Sequence, residues 1–461
     1  MKVVLFGKGR WYQRYRPCFK TDEIIAIADT YCKDKFVDGI PVVRPTALAH
    51  MTFDRIFLLL SHADEVRHHL LELGIPAEKI ATVRDIAMWP TSRIPEPIVY
   101  APQGSYPARK KKHILMISNG LSLTGAPIVL FTAAGILMQA GYVVTVVSNE
   151  DGPLREQYTS SGAHVVLDEY LLLRHLEQLA AMHHADMIWI NTIVFSYLLK
   201  GEKCTVPVLL WVHEARNFYL GVPVLERQDL YGVRFFCVSE WARQNLLIQM
   251  PDLRGLAEIL PYGIADCGEL QWSQHDNVVF AIVGTVCKRK GQCFFIEAWS
   301  KLPEKVRTHT ELRIIGDAAA EPDTALRLQQ YADRYQEIKL LGALPHEEVL
   351  KQYQSIDVLA CPSLDDPLPV VATEAMMSGR PCLVSDRTGT ASFLHAGADG
   401  WIFHCEDQED LQARLLEIVQ TRESLPEIGE KARQCYKKHF SLEAFQRAIS
   451  SCVETMITEE N

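Results

Sequence analysis

The stretch whose reading decides the fold is Cys361-Pro-Ser-Leu-Asp-Asp-Pro-Leu-Pro-Val-Val-Ala-Thr-Glu-Ala-Met-Met-Ser-Gly-Arg-Pro381. It opens on Val358-Leu-Ala-Cys361, a short apolar run that reads as the end of a buried strand. The chain then turns through Ser363, Asp365, Asp366, Pro367 and Pro369 and continues as a short helix to Gly379. Pro381 opens the next strand, Cys382-Leu-Val-Ser385. A strand–loop–helix unit places its loop at the carboxyl end of an open parallel sheet, where ligands bind. The helix start offers the N–H groups of Val370 and Val371 and a positive dipole end, both suited to a phosphate. Asp366 precedes the helix and Glu374 lies inside it, so one carboxylate stands at the mouth and one along the same helix. Together they are placed to grip hydroxyl groups on either side of a phosphate.

Outward from this unit the same logic repeats. Val278–Val283, Glu311–Ile315, Ile338–Leu341 and Asp357–Cys361 read as buried strands, and Gly284, Gly316 and Gly342 follow three of them at once. A glycine there permits a tight turn or close approach to a ligand. After Gly284 comes Val286-Cys-Lys-Arg-Lys-Gly291, whose Lys288, Arg289 and Lys290 set cations beside the same loop. Before this region lie His113–Ile117, Tyr142–Val147, Ala163–Val166, Met187–Ile190, Pro207–Val212 and Arg234–Val238, apolar strands with helices between most of them. Near-continuous apolar strands alternating with helices imply parallel sheets covered on both faces. Residues from Ser441 to Ile457 read as an amphipathic helix.

The first hundred residues form a further βα region. Lys2–Phe6, Glu23–Ala28, Pro41–Val43 and Arg55–Leu60 read as strands and His62–Leu73 as a helix. Gly7-Lys-Gly9 after the first strand and Asp29 after the second are Rossmann-like. The third glycine of a dinucleotide fingerprint is missing, with Tyr12 or Tyr15 in its place, which favours an accessory domain over a working dinucleotide site. Residues 90–107 read as a linker, and Arg109-Lys-Lys-Lys-His113 as a solvated lead-in to a strand.

At 461 residues the chain is too long for one core. A net charge of −10 argues against general nucleic-acid binding. The 12 cysteines include no C-x-x-C and many sit inside apolar strands, as expected of reduced thiols in a cytoplasmic protein. The start reads as a strand rather than a signal peptide, and no apolar run reaches the ~20 residues needed to span a bilayer. Peripheral membrane contact stays open. His183-His184 reads as surface polar rather than as a metal site.

Several ordered pieces carry a family resemblance: Gly125 in its loop, Trp211-Val-His-Glu214, Val238-Ser-Glu240, Pro261-Tyr-Gly-Ile264, Gly284 to Gly291, Arg313-Ile-Ile-Gly-Asp317, Leu341-Gly342, and Pro362 to Pro381. Residues 112–450 resemble the retaining glycosyltransferases of the GT-B fold, family 4. The resemblance implies α/β architecture with two Rossmann-like parallel-sheet lobes around a cleft, behind an additional Rossmann-like N-terminal domain. The expected division is 1–104, 112–265, 266–440 and a C-terminal helix 441–461. It also implies roles. Glu374 binds the ribose of a UDP- or GDP-sugar, and Asp366 holds hydroxyls of the transferred sugar. Lys290 meets the diphosphate, His213 faces the sugar, and Gly125 approaches the phosphates from the other lobe. Gly284, Arg289, Val370 and Val371 complete the donor-binding set. No metal and no cofactor are implied. The partners are a nucleotide-sugar donor and a glycan or lipid-linked acceptor.

Three departures mark this chain. Asp366 and Thr285 stand where the family has glutamate and arginine, and Pro369 stands for a glycine, which removes one N–H. Arg289 or Lys288 is the candidate replacement for the missing arginine. The competing reading is a GT-B protein that binds nucleotide sugars without transferring them, or acts on them as an epimerase does.

Overall fold

A computed structural model describes residues 1–60, 63–102, 112–201, 203–219, 222–272 and 276–458. The chain divides into two compact units. The first comprises Met1–Leu210 and Asn217–Arg234, and the second Trp211–Arg216 and the chain from Phe235 onward.

The first unit begins with β1 (Lys2–Phe6), β2 (Glu23–Ala28), β3 (Phe36–Val37), β4 (Ile40–Val43), β5 (Arg55–Leu58) and β6 (Ile80–Thr82). They form a sheet in the order β3-β4-β2-β1-β5-β6, parallel except between β3 and β4. The fingerprint residues serve the fold here. Asp29 accepts hydrogen bonds from the backbone N–H groups of Lys8, Tyr31 and Cys32, at 3.1, 2.8 and 2.7 Å. Tyr12 and Tyr15, where a third glycine would fall, are buried in the core with Phe19, Phe57 and Trp89.

Next come β7 (Ile98–Tyr100), β8 (His113–Ser118), β9 (Val143–Ser148), β10 (His164–Leu167), β11 (Met187–Ile190) and β12 (Val208–Val212), in the order β12-β11-β8-β9-β10-β7. β7 corrects the linker reading of residues 90–107. It pairs antiparallel with β10, Tyr100 opposite Val165, and the Arg155 guanidinium lies 4.5 Å from the Tyr100 ring centroid. Three β-prone residues between prolines are too few to announce an edge strand. Residues 103–107 and 109–111 lie outside the described residues, as does His62. His183 also differs from expectation. Its Nε2 is buried, and burial lowers the pKa of the ring.

Further along, β13 (Val233–Cys237) pairs in parallel with β14 (Ala257–Ile259). The main sheet of the second unit contains β15 (Val278–Val283), β16 (Thr310–Ile315), β17 (Ile338–Gly342), β18 (Val358–Cys361), β19 (Cys382–Ser385) and β20 (Gly400–Phe403). All pair in parallel, in the order β17-β16-β15-β18-β19-β20. β15, β18 and β19 are buried along their whole length, which is why they read as unbroken apolar runs. Chain direction across the sheet reverses between β15 and β18. A topological switch of this kind opens a crevice at the carboxyl ends of the two strands. Among the described residues, no helix is long and apolar enough to cross a membrane.

One face of this sheet packs on the helix Gln292–Ser300 through Phe295, Ile296 and Trp299. Trp299 is fully buried, donates from Nε1 to Thr310 Oγ1 at 2.9 Å, and meets the Tyr335 ring edge-on at 5.4 Å. Trp299→Ala removes one of the two buried tryptophans of this core and is expected to cost about 3–5 kcal/mol. A urea unfolding midpoint within error of the unmodified protein would show that this core does not hold the unit together.

Candidate functional site

The loop between β18 and the helix Val370–Met377 is fixed from several directions. Leu364 donates its N–H to Arg289 O at 2.7 Å. Four successive carbonyls are then taken in turn. Asp365 O accepts from Arg289 Nη1 at 2.8 Å, and Asp366 O from the Gly389 N–H at 2.9 Å. Pro367 O accepts from the Ser239 hydroxyl, and Leu368 O from the Tyr262 hydroxyl at 3.1 Å. Each bond contributes on the order of 1 kcal/mol, and together they leave the loop one conformation. Two glycines make room for it. A Cβ at Gly389 would lie 1.7 Å from Pro367 O, and one at Gly291 1.9 Å from Pro362 O, with Gly291 at φ +71°.

At the switch point Lys290 and Asp366 form an ion pair, Nζ to Oδ2 at 2.6 Å, with Arg289 Nη1 at 3.6 Å from the same oxygen. Both partners of the tight pair are largely buried. Burial acts most strongly and would lower the Lys290 pKa, but the Asp366 charge, the Cys361 thiol and the hydrogen bond to Asp366 together outweigh it and hold the ammonium above its ordinary value. The Lys290 side chain runs over Gly284, where a Cβ would come 3.6 Å from its Cε. Arg289, rather than Lys288, is the second cation at Asp366. The backbone N–H of Lys288 bonds Glu321 Oε2 at 2.9 Å, and its side chain is exposed. Thr285 is exposed, and its carbonyl accepts from Gln292 Nε2 at 3.0 Å.

Glu374 is buried on the helix Val370–Met377, whose N-cap Pro369 gives no side-chain cap. Its Oε1 lies 2.7 Å from His346 Nε2, and its Oε2 accepts from the Tyr353 hydroxyl at 3.1 Å. His213 belongs to the same unit. Its ring meets that of Trp211 edge-on at 4.3 Å, and burial pushes its pKa down to about 3. The segment after it is latched to the loop by Asp365. Its Oδ2 accepts from the Arg216 N–H at 2.8 Å and its Oδ1 from Trp241 Nε1 at 2.8 Å. Arg216 also donates from Nε to Asn245 Oδ1 at 2.8 Å and stacks over the Trp241 ring at 5.1 Å.

Lys290, Arg289, Gly284 and Asp366 thus meet at the carboxyl ends of β15 and β18, and the helix that carries Val370, Val371 and Glu374 starts from the same loop. Gly125 lies in the first unit. It opens the helix Gly125–Gln139 rather than sitting in a loop, behind Thr124 as N-cap. Helix formation begins there because Pro127 is tolerated in a first turn, whose N–H groups lack intrahelical partners. Sequence reading passed over Arg216, Trp241, Asn245, His346 and Tyr353. Asp365, Ser239 and Tyr262 stood inside quoted motif pieces without an assigned task.

Known proteins agree with this architecture. Residues 271–435 match the family described as Glycosyl transferases group 1, residues 110–234 match Glycosyl-transferase family 4, and residues 1–81 match C2185-like, N-terminal. The Anabaena protein HepE in complex with UDP superposes with a TM-score of 0.59 at 18% identity, over 75% of this chain and 100% of that one. The fold is that of the GT-B glycosyltransferases. Among curated relatives, the amylovoran biosynthesis glycosyltransferase AmsK of Erwinia amylovora is 26% identical over 41% of this chain and 47% of its own length. D-inositol 3-phosphate glycosyltransferase of Corynebacterium aurimucosum is 28% identical over 34% of this chain and 38% of its own. The chain therefore spans less than half the length of either relative. The GT-B matches cover both the segment holding His113 to Arg234 and the segment holding the Lys290–Asp366 pair.

Two measurements probe the site without substrate. Asp366→Ala strands the Lys290 charge and is expected to destabilise by about 3 kcal/mol, whereas the Lys290→Met/Asp366→Leu double variant recovers most of the loss. A double variant no better than Asp366→Ala in urea unfolding contradicts the pairing. His213 binds its proton in the unfolded chain near pH 6.5 but in the fold only near pH 3. The unfolded state therefore holds the extra proton between those values, and stability falls as pH drops through that window. His213→Gln should flatten the acid limb of the stability curve. An unchanged limb would show that the ring is protonated in the fold.

Proposed function

We propose that this chain is a retaining glycosyltransferase. It moves a sugar from a UDP- or GDP-sugar to an acceptor hydroxyl on a glycan or lipid-linked precursor, in the assembly of a surface polysaccharide. The observation that carries the reading is the Lys290–Asp366 pair at the β15–β18 switch point, with Glu374 on the helix that starts from the same loop. It is supported by HepE, a structural neighbour that binds UDP, and by AmsK, whose name places it in polysaccharide biosynthesis. The reading includes a cytoplasmic location with peripheral membrane contact, and the division into 1–104, 112–265, 266–440 and 441–461.

The chemistry follows from the charges. Glu374 takes the ribose hydroxyls. The diphosphate takes Lys290 from Asp366, with Arg289 and the N–H groups of Val370 and Val371 adding positive potential. Lys290 then faces charge that grows as the sugar–oxygen bond breaks, so its stabilisation is larger in the transition state than in the ground state. Asp366, released from the ion pair, accepts from sugar hydroxyls. His213 stays neutral at physiological pH and serves as a hydrogen-bonding group rather than a cation. The acceptor hydroxyl attacks on the face the diphosphate leaves, and a departing phosphate oxygen takes its proton. Charge on the leaving group is met by side chains and backbone, so no metal is required. The donor-binding role of Gly125 rests on the family resemblance. A Cβ there would meet nothing within 4 Å, so packing alone does not demand glycine.

Lys290→Ala is expected to lower turnover of UDP- or GDP-sugars roughly 100- to 1,000-fold, and Glu374→Ala to weaken nucleotide binding at least about tenfold. Turnover assays with and without EDTA, beside calorimetric titration with UDP and GDP, check both. Unmodified activity in both variants would put the site elsewhere. Nucleotide binding without turnover of any donor would support the non-transferring alternative.

A further inference from the structure

We infer that His346 is a positioning residue for the nucleotide. It turns the Glu374 carboxylate so that its two remaining acceptor positions match a ribose cis-diol. The inference rests on the proposed donor site and on the assignment of Glu374 to the ribose.

A carboxylate oxygen only accepts, so the 2.7 Å contact requires that His346 Nε2 carry the proton and donate to Oε1. On the other side the Tyr353 hydroxyl reaches Oε2 at 3.1 Å, with Val371 O as a second acceptor at 3.2 Å. Burial raises the Tyr353 pKa well above the ordinary phenol value, so this group stays a neutral donor. Each carboxylate oxygen accepts up to two hydrogen bonds, and with one taken on each, one remains on each. Two adjacent hydroxyls donating in parallel fit that remainder.

The two clamps are unequal. Tyr353 is fully buried and anchored in the fold, and its carbonyl accepts from Arg380 Nε at 2.9 Å. The His346 side chain is 68% exposed and stands at the first position of the helix His346–Gln352, behind Pro345. A solvated imidazole contributes little to a core. Among the described residues its contact of consequence is with a buried carboxylate, so its effect falls on where that carboxylate points. Without it, Glu374 keeps the Tyr353 bond but can rotate about its terminal torsion, and one of the two diol contacts is lost.

The test is titration of the full-length protein with UDP and GDP and with their 2′-deoxy forms, beside steady-state kinetics. His346→Ala should raise donor KM about tenfold, leave kcat within about twofold, and erase most of the preference for ribose over deoxyribose. His346→Gln, whose amide N–H can donate at the same place, should restore both. Because the side chain is exposed, the melting temperature of either variant should stay near that of the unmodified protein. If Glu374→Ala loses the ribose preference while His346→Ala keeps it, the inference is overturned and the donor-site reading stands. If Glu374→Ala itself keeps the preference, Glu374 is not the ribose ligand and both fall.

Discussion

Four consecutive backbone carbonyls, from Asp365 to Leu368, each accept a hydrogen bond from a different part of the second unit. The arrangement of the proposed donor site depends on them. A loop rich in proline has few N–H groups of its own with which to fold on itself. It must be held through its oxygens, and the donors come from four places in sequence: Ser239, Tyr262, Arg289 and Gly389. Glycine at 291 and 389 follows from the same constraint, because a methyl group at either would overlap a loop carbonyl. The result is preorganisation. The Asp366 carboxylate and the start of the helix Val370–Met377 are set before any ligand arrives, so binding need not supply the cost of ordering them.

The electrostatics carry the same economy. Lys290 and Asp366 are buried charges that would be costly alone, and each satisfies the other across 2.6 Å. A donor that brings its own negative diphosphate and its own hydroxyls offers a replacement partner to each. The pair is therefore both a means of stability for the empty fold and a place held for the ligand. Neutral His213 and the clamped Glu374 follow a related pattern: burial sets the protonation state of one, and neighbouring donors set the direction of the other. Asp365 ties the segment carrying His213 to the loop carrying Asp366, so the two groups are positioned by one network.

Most of the strands were legible because buried parallel strands are continuous apolar runs, and β15, β18 and β19 are the clearest examples. The strands that escaped notice, β3, β6, β7, β14 and β20, each end a sheet and run for only two to four residues, too few to set up a pattern. The donor-site core was legible for a different reason. Lys290, Asp366 and Glu374 lie in two local segments, each with a strand, a turn and a helix start in fixed succession. His346, Tyr353, Arg216, Trp241 and Asn245 carried no such signal, and neither did the partners of Asp365. His346 and Glu374 are 28 residues apart, and Asp365 and Arg216 are 149 apart, so no local spacing connects them.

The amino-acid sequence by itself determined the class of fold, the strand–loop–helix that presents Asp366 and Glu374, and the placing of a lysine after a glycine turn. All of these are local, and periodicity and turn chemistry specify them within a dozen or so residues. Only the tertiary structure decided that Arg289 and not Lys288 joins Lys290 at Asp366, that Asp29 and Tyr12 serve their own domain's fold, and that Glu374 is held by a histidine and a tyrosine. Those outcomes depend on which strands lie side by side in the sheet, and strand order is set by long-range packing that no short stretch of sequence records. The opening segment, Cys361 to Pro381, thus names the site, while its partners at 213–216, 239–245, 262, 289–290 and 346–353 determine its geometry.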